Sequence, residues 1–388
     1  MTPQELPAVA ALAATLPPYD ENAVLALVDQ LRARAYSADV IAAALTQSRL
    51  RARATTKFGI AADRLLFTTD GLEQATRPVV AAHRLRRFLE LAPARVADLC
   101  CGIGADTWAF ADADIDVLAV EREPLTAAIA AENAVALHFT ERVEVRRADA
   151  TSVDVVAAGC NAAFIDPARR TQRARVFDPT GYSPPLSFVT ELATRLPTAA
   201  KVAPGLPHSF IPDGAEAEWV SVDGDVVETT LWYGALRSSA ARRATMLPAG
   251  KTLVADSSTS PPQVGPVRRW LYEPDGAVLR AGLVANVAAI VDGSLLDASI
   301  AYVTSDTLLA TPFATAYEVR DVLPFSVKRL QAYTRQHRIG VLDVKKRGTA
   351  VTPESLRAQL QLHGPGRATV VLTRLAGKQV AIVVERIN

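Results

Sequence analysis

The sequence predicts an α/β fold: a helical N-terminal region, a mostly parallel sheet ending in an antiparallel hairpin, and a smaller C-terminal α/β domain. Three observations carry this prediction. Apolar residues recur at every third and fourth position before residue 90, which is typical of helices. From about residue 95, short apolar runs alternate with helical stretches, as in parallel sheets. Finally, Asp223-Gly224 lies between two apolar runs, which indicates a tight hairpin.

The 388 residues are too many for one compact core, so we expect several domains. The best linker candidate is the Ser-, Pro- and Gly-rich segment SSTSPPQVGP at 257–266. The predicted organisation is therefore a helical region at 1–90, a sheet domain at 91–240, a linker at 241–266 and a small α/β domain at 267–388.

The N-terminal elements are helices by their apolar spacing. The stretches ENAVLALVDQLRARAY and ADVIAAALTQSRLRARA give the first two. A third helix could begin at Asp70 or Gly71, but Pro78 would then lie in its interior. We therefore favour a start at Pro78, with Thr76 as the capping residue.

The strands of the first sheet are the apolar runs ARVADL, DVLAVE, VEVRRA, AAFIDP and AAKVAPG, followed by the hairpin EWVSV and VVETTLWYG. In the C-terminal domain, RAGLVANVAAIV, PFSVKRLQAYTRQHR and PESLRAQLQL are predicted helices. IGVLDVKKRG is a predicted strand there, and ATVVLTR with QVAIVVERI forms a predicted terminal hairpin.

Composition excludes several classes of protein. The net charge of +1 rules out a polycation, so any nucleic-acid contact must come from local basic patches. Three cysteines without a C-x-x-C spacing support neither a disulfide framework nor a zinc site, and we expect no metal. No run of about 18 apolar residues occurs, and the first residues lack a signal-peptide pattern. The sequence thus predicts a cytoplasmic protein with no membrane contact.

A glycine loop follows the first strand, in the run Asp98-Leu99-Cys100-Cys101-Gly102-Ile103-Gly104. Cofactors bind beyond the carboxyl ends of parallel strands, where glycines let the backbone pass close to a ligand. Acidic residues strengthen the signal, because Asp98, Glu121 and the Asp149-Ala150 pair end three successive strands. Such acids can reach the cationic methionine end, the ribose and the adenine of S-adenosylmethionine. The predicted binding set is Asp98, Cys100, Gly102, Gly104, Glu121, Asp149 and Ala150.

A nicotinamide dehydrogenase is the rival class of protein. Its motif needs Gly or Ala at the third place after the second glycine, where this chain has Thr107. That class also leaves the antiparallel hairpin unexplained, so we prefer a methyl-donor site.

The fourth strand ends in Asp166-Pro167-Ala168-Arg169-Arg170, at the place where an acceptor should meet the methyl group. Asp166 could accept from an amino group or remove a proton from a hydroxyl group. We predict Asp166, Pro167 and Arg169 as catalytic residues, and Arg170 as a contact to phosphate or another anion.

These segments resemble known methyltransferases. DLCCGIGADTWAFA with AVERE is similar to the donor site of the trimethylguanosine synthase group of RNA cap methyltransferases, and FTTDGLEQATRPVVAAHRLRRF to a lead-in helix of bacterial relatives. FIDPARR, VLPFSVKRLQ and DVKKRG resemble a bacterial group of class I methyltransferases with a THUMP-like domain. Because THUMP domains bind RNA, the resemblance implies an RNA partner.

Departures from these relatives leave the acceptor atom open. Amino-methylating relatives carry an aromatic side chain where this chain has Arg169, so base stacking would fall to Phe177 or Tyr182. Cysteine-dependent uracil methylation is disfavoured, since no cysteine follows Cys160. Ribose 2′-O-methylating relatives use a Lys-Asp-Lys-Glu set, which could be supplied here by the residues Lys57, Asp166, Lys201 and Glu228.

The basic run Lys345-Lys346-Arg347 ends a predicted strand and is the predicted nucleic-acid backbone contact. The leading hypothesis is therefore an S-adenosylmethionine-dependent RNA methyltransferase that acts on a base amino group or a ribose hydroxyl. Two alternatives stay open: a donor-binding RNA-assembly protein with little catalysis, and a methyltransferase acting on a protein or small molecule.

Overall fold

A computed structural model describes residues 1–169, 181–256 and 258–387. Its internal contacts divide the chain into two units. One unit comprises Met1–Glu216 with Thr229–Ser239, and the other comprises Ala217–Glu228 with Ala240–Asn388. The predicted α/β class, with its helical start, mixed sheets and small C-terminal domain, is confirmed.

The first ninety residues are helical. The helices are Leu6–Ala14 (α1), Val24–Ala33 (α2), Ala38–Phe58 (α3), Thr69–Gln74 (α4) and Pro78–Leu91 (α5). The predicted start at Pro78 is confirmed, because its ring fits the first turn of a helix. The predicted cap is wrong: Arg77 takes that position, and Thr76 is buried beside it.

The sheet domain alternates strands and helices in the predicted order. Its strands are Arg95–Leu99 (β1), Asp116–Glu121 (β2), Val143–Arg147 (β3), Ala162–Ile165 (β4), Ala168–Arg169 (β5), Tyr182–Ser183 (β6), Thr198–Val202 (β7), Glu216–Val222 (β8), Asp225–Trp232 (β9), Arg242–Leu247 (β10) and Lys251–Val254 (β11). The helices among them are Ala105–Asp112 (α6), Pro124–Ala136 (α7) and Leu186–Ala193 (α8).

Nine of these strands form one sheet in the order β11-β10-β8-β9-β7-β4-β1-β2-β3, while β5 pairs with β6. β1 pairs in parallel with both β2 and β4, and β7 pairs antiparallel with β9. The carboxyl ends of β1, β2 and β4 therefore meet at one edge of the sheet, which brings their terminal acids together.

The predicted linker needs correction. β10 and β11 lie within 241–266 and extend the sheet, with β10 parallel to β8 and β11 antiparallel to β10. The first half of that segment is therefore sheet. Both strands are short and partly apolar, and their signal is weaker than that of the Ser- and Pro-rich stretch after them.

The N-terminal helices share a hydrophobic core with the sheet domain. Leu50 and Phe67 pack in one cluster with Ile103 of the glycine loop and Ile129 of α7. Asn133 adds hydrogen bonds, because its Oδ1 accepts from Leu66 N at 2.7 Å. Its Nδ2 donates to Leu66 O and Ile103 O, both at 3.1 Å. The helical region thus helps to fix the conformation of the glycine loop.

The second unit contains a seven-stranded sheet in the order β13-β14-β12-β15-β18-β17-β16. Its strands are Trp270–Pro274 (β12), Ser294–Asp297 (β13), Ile300–Ser305 (β14), Ala314–Pro324 (β15), Ile339–Lys346 (β16), Gly366–Leu375 (β17) and Lys378–Arg386 (β18). Its helices are Gly276–Ala281 (α9), Val284–Ile290 (α10), Val327–Gln336 (α11) and Pro353–Leu360 (α12). The predicted terminal hairpin is β17 with β18, which pair antiparallel.

Candidate functional site

Asp98 ends β1 inside the protein, with a side chain only 1% exposed. Thr107 of α6 donates its hydroxyl to Asp98 Oδ2, whereas Oδ1 has no hydrogen-bond partner among the described residues. Burial, and then the negative charge of Asp106, raise the pKa of Asp98 to about 8. A buried carboxyl with an unsatisfied oxygen can accept a hydrogen bond from a ligand, and a cationic ligand would favour the ionised form of the carboxyl.

Thr107 is a functional partner that the sequence analysis did not recognise. The sequence shows Thr107 only as a departure from the dinucleotide-binding motif. Its position three residues after Gly104 places it in the first turn of α6, from which its hydroxyl reaches back to Asp98.

The loop after Asp98 adopts left-handed backbone angles at alternate residues. φ is +61° at Cys100, +58° at Gly102 and +99° at Gly104. At Gly102, an added Cβ would meet nothing within 4 Å, so the space above the loop is open. At Gly104 a Cβ would lie 2.7 Å from the Trp108 indole nitrogen, so any side chain would collide with the indole. The loop therefore presents bare backbone to the open space.

Glu121 ends β2 and is tied to this loop. Its Oε2 accepts from Gly102 N at 3.1 Å, and its Oε1 accepts from Glu123 N at 2.8 Å. These bonds hold the carboxylate beside the open space over Gly102, where hydroxyl groups of a ligand could donate to it.

Asp149 follows β3 and is exposed. Its Oδ1 accepts from the amide and the hydroxyl of Thr151, at 2.9 and 2.6 Å, and these bonds hold the pKa of Asp149 below its usual range. Ala150, beside it, is buried. Asp149 is thus an ionised acceptor at the sheet edge.

The Cys100 thiol lies within the electrostatic influence of all these acids. Burial raises the pKa of its thiol, and the charges of Glu121, Asp166, Asp98 and Asp149 raise it further, in that order. Four carboxyl groups from four strand ends thus act on one side chain. The thiol is kept protonated and is a poor nucleophile.

Asp166 follows β4 and is partly exposed, with 33% of its side chain accessible to solvent. Lys201 of β7 donates to Asp166 Oδ2 at 2.7 Å and to Thr76 Oγ1 at 3.3 Å. The ion pair fixes the carboxylate at the sheet edge and leaves its other oxygen to a ligand. Pro167 is buried behind it.

Lys57 is the second lysine at this end of the sheet. Its ammonium donates to Leu72 O at 2.8 Å and Glu73 O at 3.3 Å. Burial, and then the positive charges of Lys201 and Arg77, lower the pKa of Lys57 to about 8. Of the predicted Lys-Asp-Lys-Glu set, the structure thus pairs Asp166 with Lys201, and the charge of Lys201 acts on Lys57. Glu228 is buried in β9.

Two stacking candidates were predicted after β4. Tyr182 is wrong for this role, because it is buried and its hydroxyl accepts from Ala203 N at 2.7 Å. Phe177 and Arg170 lie outside the described residues, as does the side chain of Arg169, whose backbone belongs to β5.

The basic run at the end of β16 belongs to the other unit. Lys345 donates to Glu273 Oε2 at 2.6 Å, and a guanidinium nitrogen of Arg347 lies 3.6 Å from Glu273 Oε1. Lys346, between them in sequence, is exposed. Two of the three predicted charges thus contact Glu273, and the contact to nucleic acid stays a prediction that rests most on Lys346.

Within the described part of the chain, no three His, Cys, Asp or Glu side chains are grouped as metal ligands would be. No helix in that part is long and apolar enough to cross a membrane.

Comparisons with known proteins found similarities in sequence and in fold. Residues 314–386 match a family model described as THUMP domain-like, and residues 9–54 match a domain of unknown function. Two uncharacterized S-adenosylmethionine-dependent methyltransferases, from Mycobacterium tuberculosis strains CDC 1551 and H37Rv, are each 33% identical over 345 residues. That alignment covers 86% of this chain and 93% of each relative. The crystal structure of a proposed methyltransferase from Porphyromonas gingivalis W83 has the same fold, with a TM-score of 0.79, 20% identity and 100% coverage of both chains.

Proposed function

Because the chain belongs to the family of S-adenosylmethionine-dependent methyltransferases, we propose that it methylates RNA, with Asp166 facing the acceptor group. The chain is an enzyme, and S-adenosylmethionine is its methyl donor. The observation that carries the RNA assignment is the THUMP domain-like match at 314–386, because THUMP domains bind RNA.

We assign the donor to the edge of the sheet around Asp98. The unpartnered Asp98 Oδ1 fits an ammonium group, and the open space over Gly102 fits a ligand against bare backbone. The residues that would hold the donor are Asp98, Cys100, Gly102, Gly104, Glu121, Asp149 and Ala150. When bound, the donor supplies a methyl group attached to a positively charged sulfur, and a nucleophile can take up this methyl group because the sulfur is a good leaving group.

On the acceptor side, Asp166 accepts a hydrogen bond from the incoming amino or hydroxyl group and so orients its lone pair. Lys201 is a positioning residue, because its 2.7 Å ion pair holds the carboxylate. Pro167 shapes the backbone just after β4, and Arg169 lies two residues further along the chain, in β5. Catalysis then rests on the alignment of the acceptor, with a smaller contribution from proton transfer.

The ribose 2′-hydroxyl is the acceptor that one observation favours. Asp166 pairs with Lys201, whose charge also acts on Lys57, and Tyr182, the aromatic residue of β6, is not available to stack on a flipped base. A base amino group is the other candidate, and Phe177 would be needed for its stacking.

The test is incorporation of label from tritiated donor into total RNA from a strain that lacks the protein. We expect label in one RNA species. Alkali cleaves RNA through a free 2′-hydroxyl, so ribose methylation leaves the label in alkali-stable dinucleotides, whereas base methylation leaves it in mononucleotides. Label in the protein fraction, or in small molecules only, would contradict the RNA assignment.

A further inference from the structure

Three cationic side chains from three elements meet at the turn between α4 and α5. Lys57 of α3 binds the carbonyl oxygens of Leu72 and Glu73. Lys201 of β7 reaches Thr76 in the same turn, and Arg77 follows as an exposed residue. The turn thus collects three positive charges next to the acceptor acid.

Capping of α4 explains only part of this arrangement. Lysines near the end of a helix can bind its last carbonyl groups, as Lys57 does here. A cap needs only one such lysine, and carbonyl groups do not neutralise its charge. Asp166 neutralises Lys201, whereas Glu73 is largely exposed and lies 3.3 Å from Arg53. The positive charge of Lys57 and Arg77 is therefore only weakly balanced within the described residues.

Burial is the main cause of the low pKa of Lys57, and the positive charges of Lys201 and Arg77 lower this pKa further, whereas Glu73 raises it. An anion placed among the three side chains would stabilise the charged form of Lys57. Lysine and arginine are the residues that bind phosphate in proteins.

We propose that Lys57, Arg77 and Lys201 form a phosphate-binding subsite beside Asp166, which takes a backbone phosphate next to the methylated nucleotide. This inference rests on the proposed RNA function and specifies how that acceptor is held. The phosphate fixes the register of the chain, so that one nucleotide meets Asp166.

The experiment is the salt dependence of binding of a ten-nucleotide mixed-sequence RNA to the full chain. Single-strand binding has a slope of about −0.7 in log K against log salt for each neutralised phosphate. We expect Lys57→Gln and Arg77→Gln each to flatten the slope by up to about 0.7 and to weaken low-salt binding about 3- to 10-fold. Arg49→Gln, an exposed arginine two turns earlier on α3, should behave as the wild type.

Two further readouts keep the test decisive. The donor dissociation constant and the thermal midpoint of Arg77→Gln should match the wild type, because Arg77 is exposed and belongs to no donor contact. Unchanged slopes in both variants, or no binding of the oligonucleotide to the wild type, would overturn the subsite. If the tritium experiment labels RNA but the salt slopes of both variants are unchanged, the subsite is wrong and the proposed function stands. If the slopes change but no RNA is labelled, the subsite stands and the proposed function is contradicted.

Discussion

Asp98 lies buried at the end of β1, with Thr107 on one carboxyl oxygen and no described partner on the other. Its pKa of about 8 means that the free protein holds this carboxyl largely protonated at pH 7. Binding a cationic donor requires the ionised form, so binding must release a proton. The sequence predicted Asp98 from its place at a strand end, but the burial that perturbs it depends on α5 and α6.

Donor affinity should therefore rise with pH. Below the pKa of Asp98, each further drop of one pH unit lowers donor affinity by up to about tenfold, because the Asp98 carboxyl must first lose its proton. We expect the donor dissociation constant to fall between pH 6 and 8 and to level off above about 8.5. Calorimetry in buffers of different ionisation enthalpy measures both the donor dissociation constant and the number of protons released on binding.

Asp98→Asn provides the control, since it cannot ionise. It should bind the donor weakly, with a constant that changes with pH only as far as the donor itself titrates. A wild-type constant that stays flat between pH 6 and 8.5 would contradict the assignment of Asp98.

At the scale of elements, the sequence predicted the strands that end in acids and the hairpin at Asp223-Gly224, because both carry local signals. It missed β10 and β11 as sheet strands, since the parallel pairing of β10 with β8 is a non-local contact. The convergence of Lys57 on Lys201 was similarly hidden, because 144 positions of sequence separate them and only the packing of α3 brings them together.

Asn133 should be the most sensitive polar residue linking the helical region to the sheet domain. It is fully buried and bonds to Leu66 and Ile103 through three hydrogen bonds. Asn133→Ala leaves one buried amide and two carbonyl groups unsatisfied, so we expect a loss of about 2–4 kcal/mol in the free energy of unfolding. Urea denaturation measures it.

Asn22→Ala, at an exposed position before α2, is the matched control and should change the free energy of unfolding by less than about 0.5 kcal/mol. Equal stabilities for the two variants would show that the helical region is not tied to the glycine loop through Asn133. Because Ile103 lies in that loop, donor affinity should also fall in Asn133→Ala.

At the scale of the whole molecule, the proposed methyl transfer and the predicted contact at Lys346 lie in different parts of the chain. The proposed donor and acceptor acids end strands of the nine-stranded sheet, whereas residues 314–386, which include Lys346, carry the THUMP domain-like match. Lys346 is exposed on β16, and its neighbours Lys345 and Arg347 contact Glu273. The sequence alone could not assign Lys346 and its two neighbours to different environments, because their alternation along β16 decides which side chains face Glu273.

Lys346→Gln should therefore weaken binding of total RNA by about 2- to 5-fold and flatten its salt slope, with donor affinity unchanged. Filter binding at several salt concentrations measures this effect. Lys378→Gln, a charge removal at the start of β18, serves as control. If Lys346→Gln keeps the wild-type slope, the contact at the end of β16 is not used.

We propose that one sheet edge carries a donor site at Asp98 and a separate acceptor residue at Asp166. The most direct measurement takes one preparation of Asp166→Asn and determines its donor dissociation constant and its transfer of tritium to RNA. We predict a constant within about twofold of the wild type and a transfer rate lower by about 10²-fold, because the acceptor is misaligned. Undiminished transfer, or loss of donor binding, would contradict this division of roles between Asp98 and Asp166.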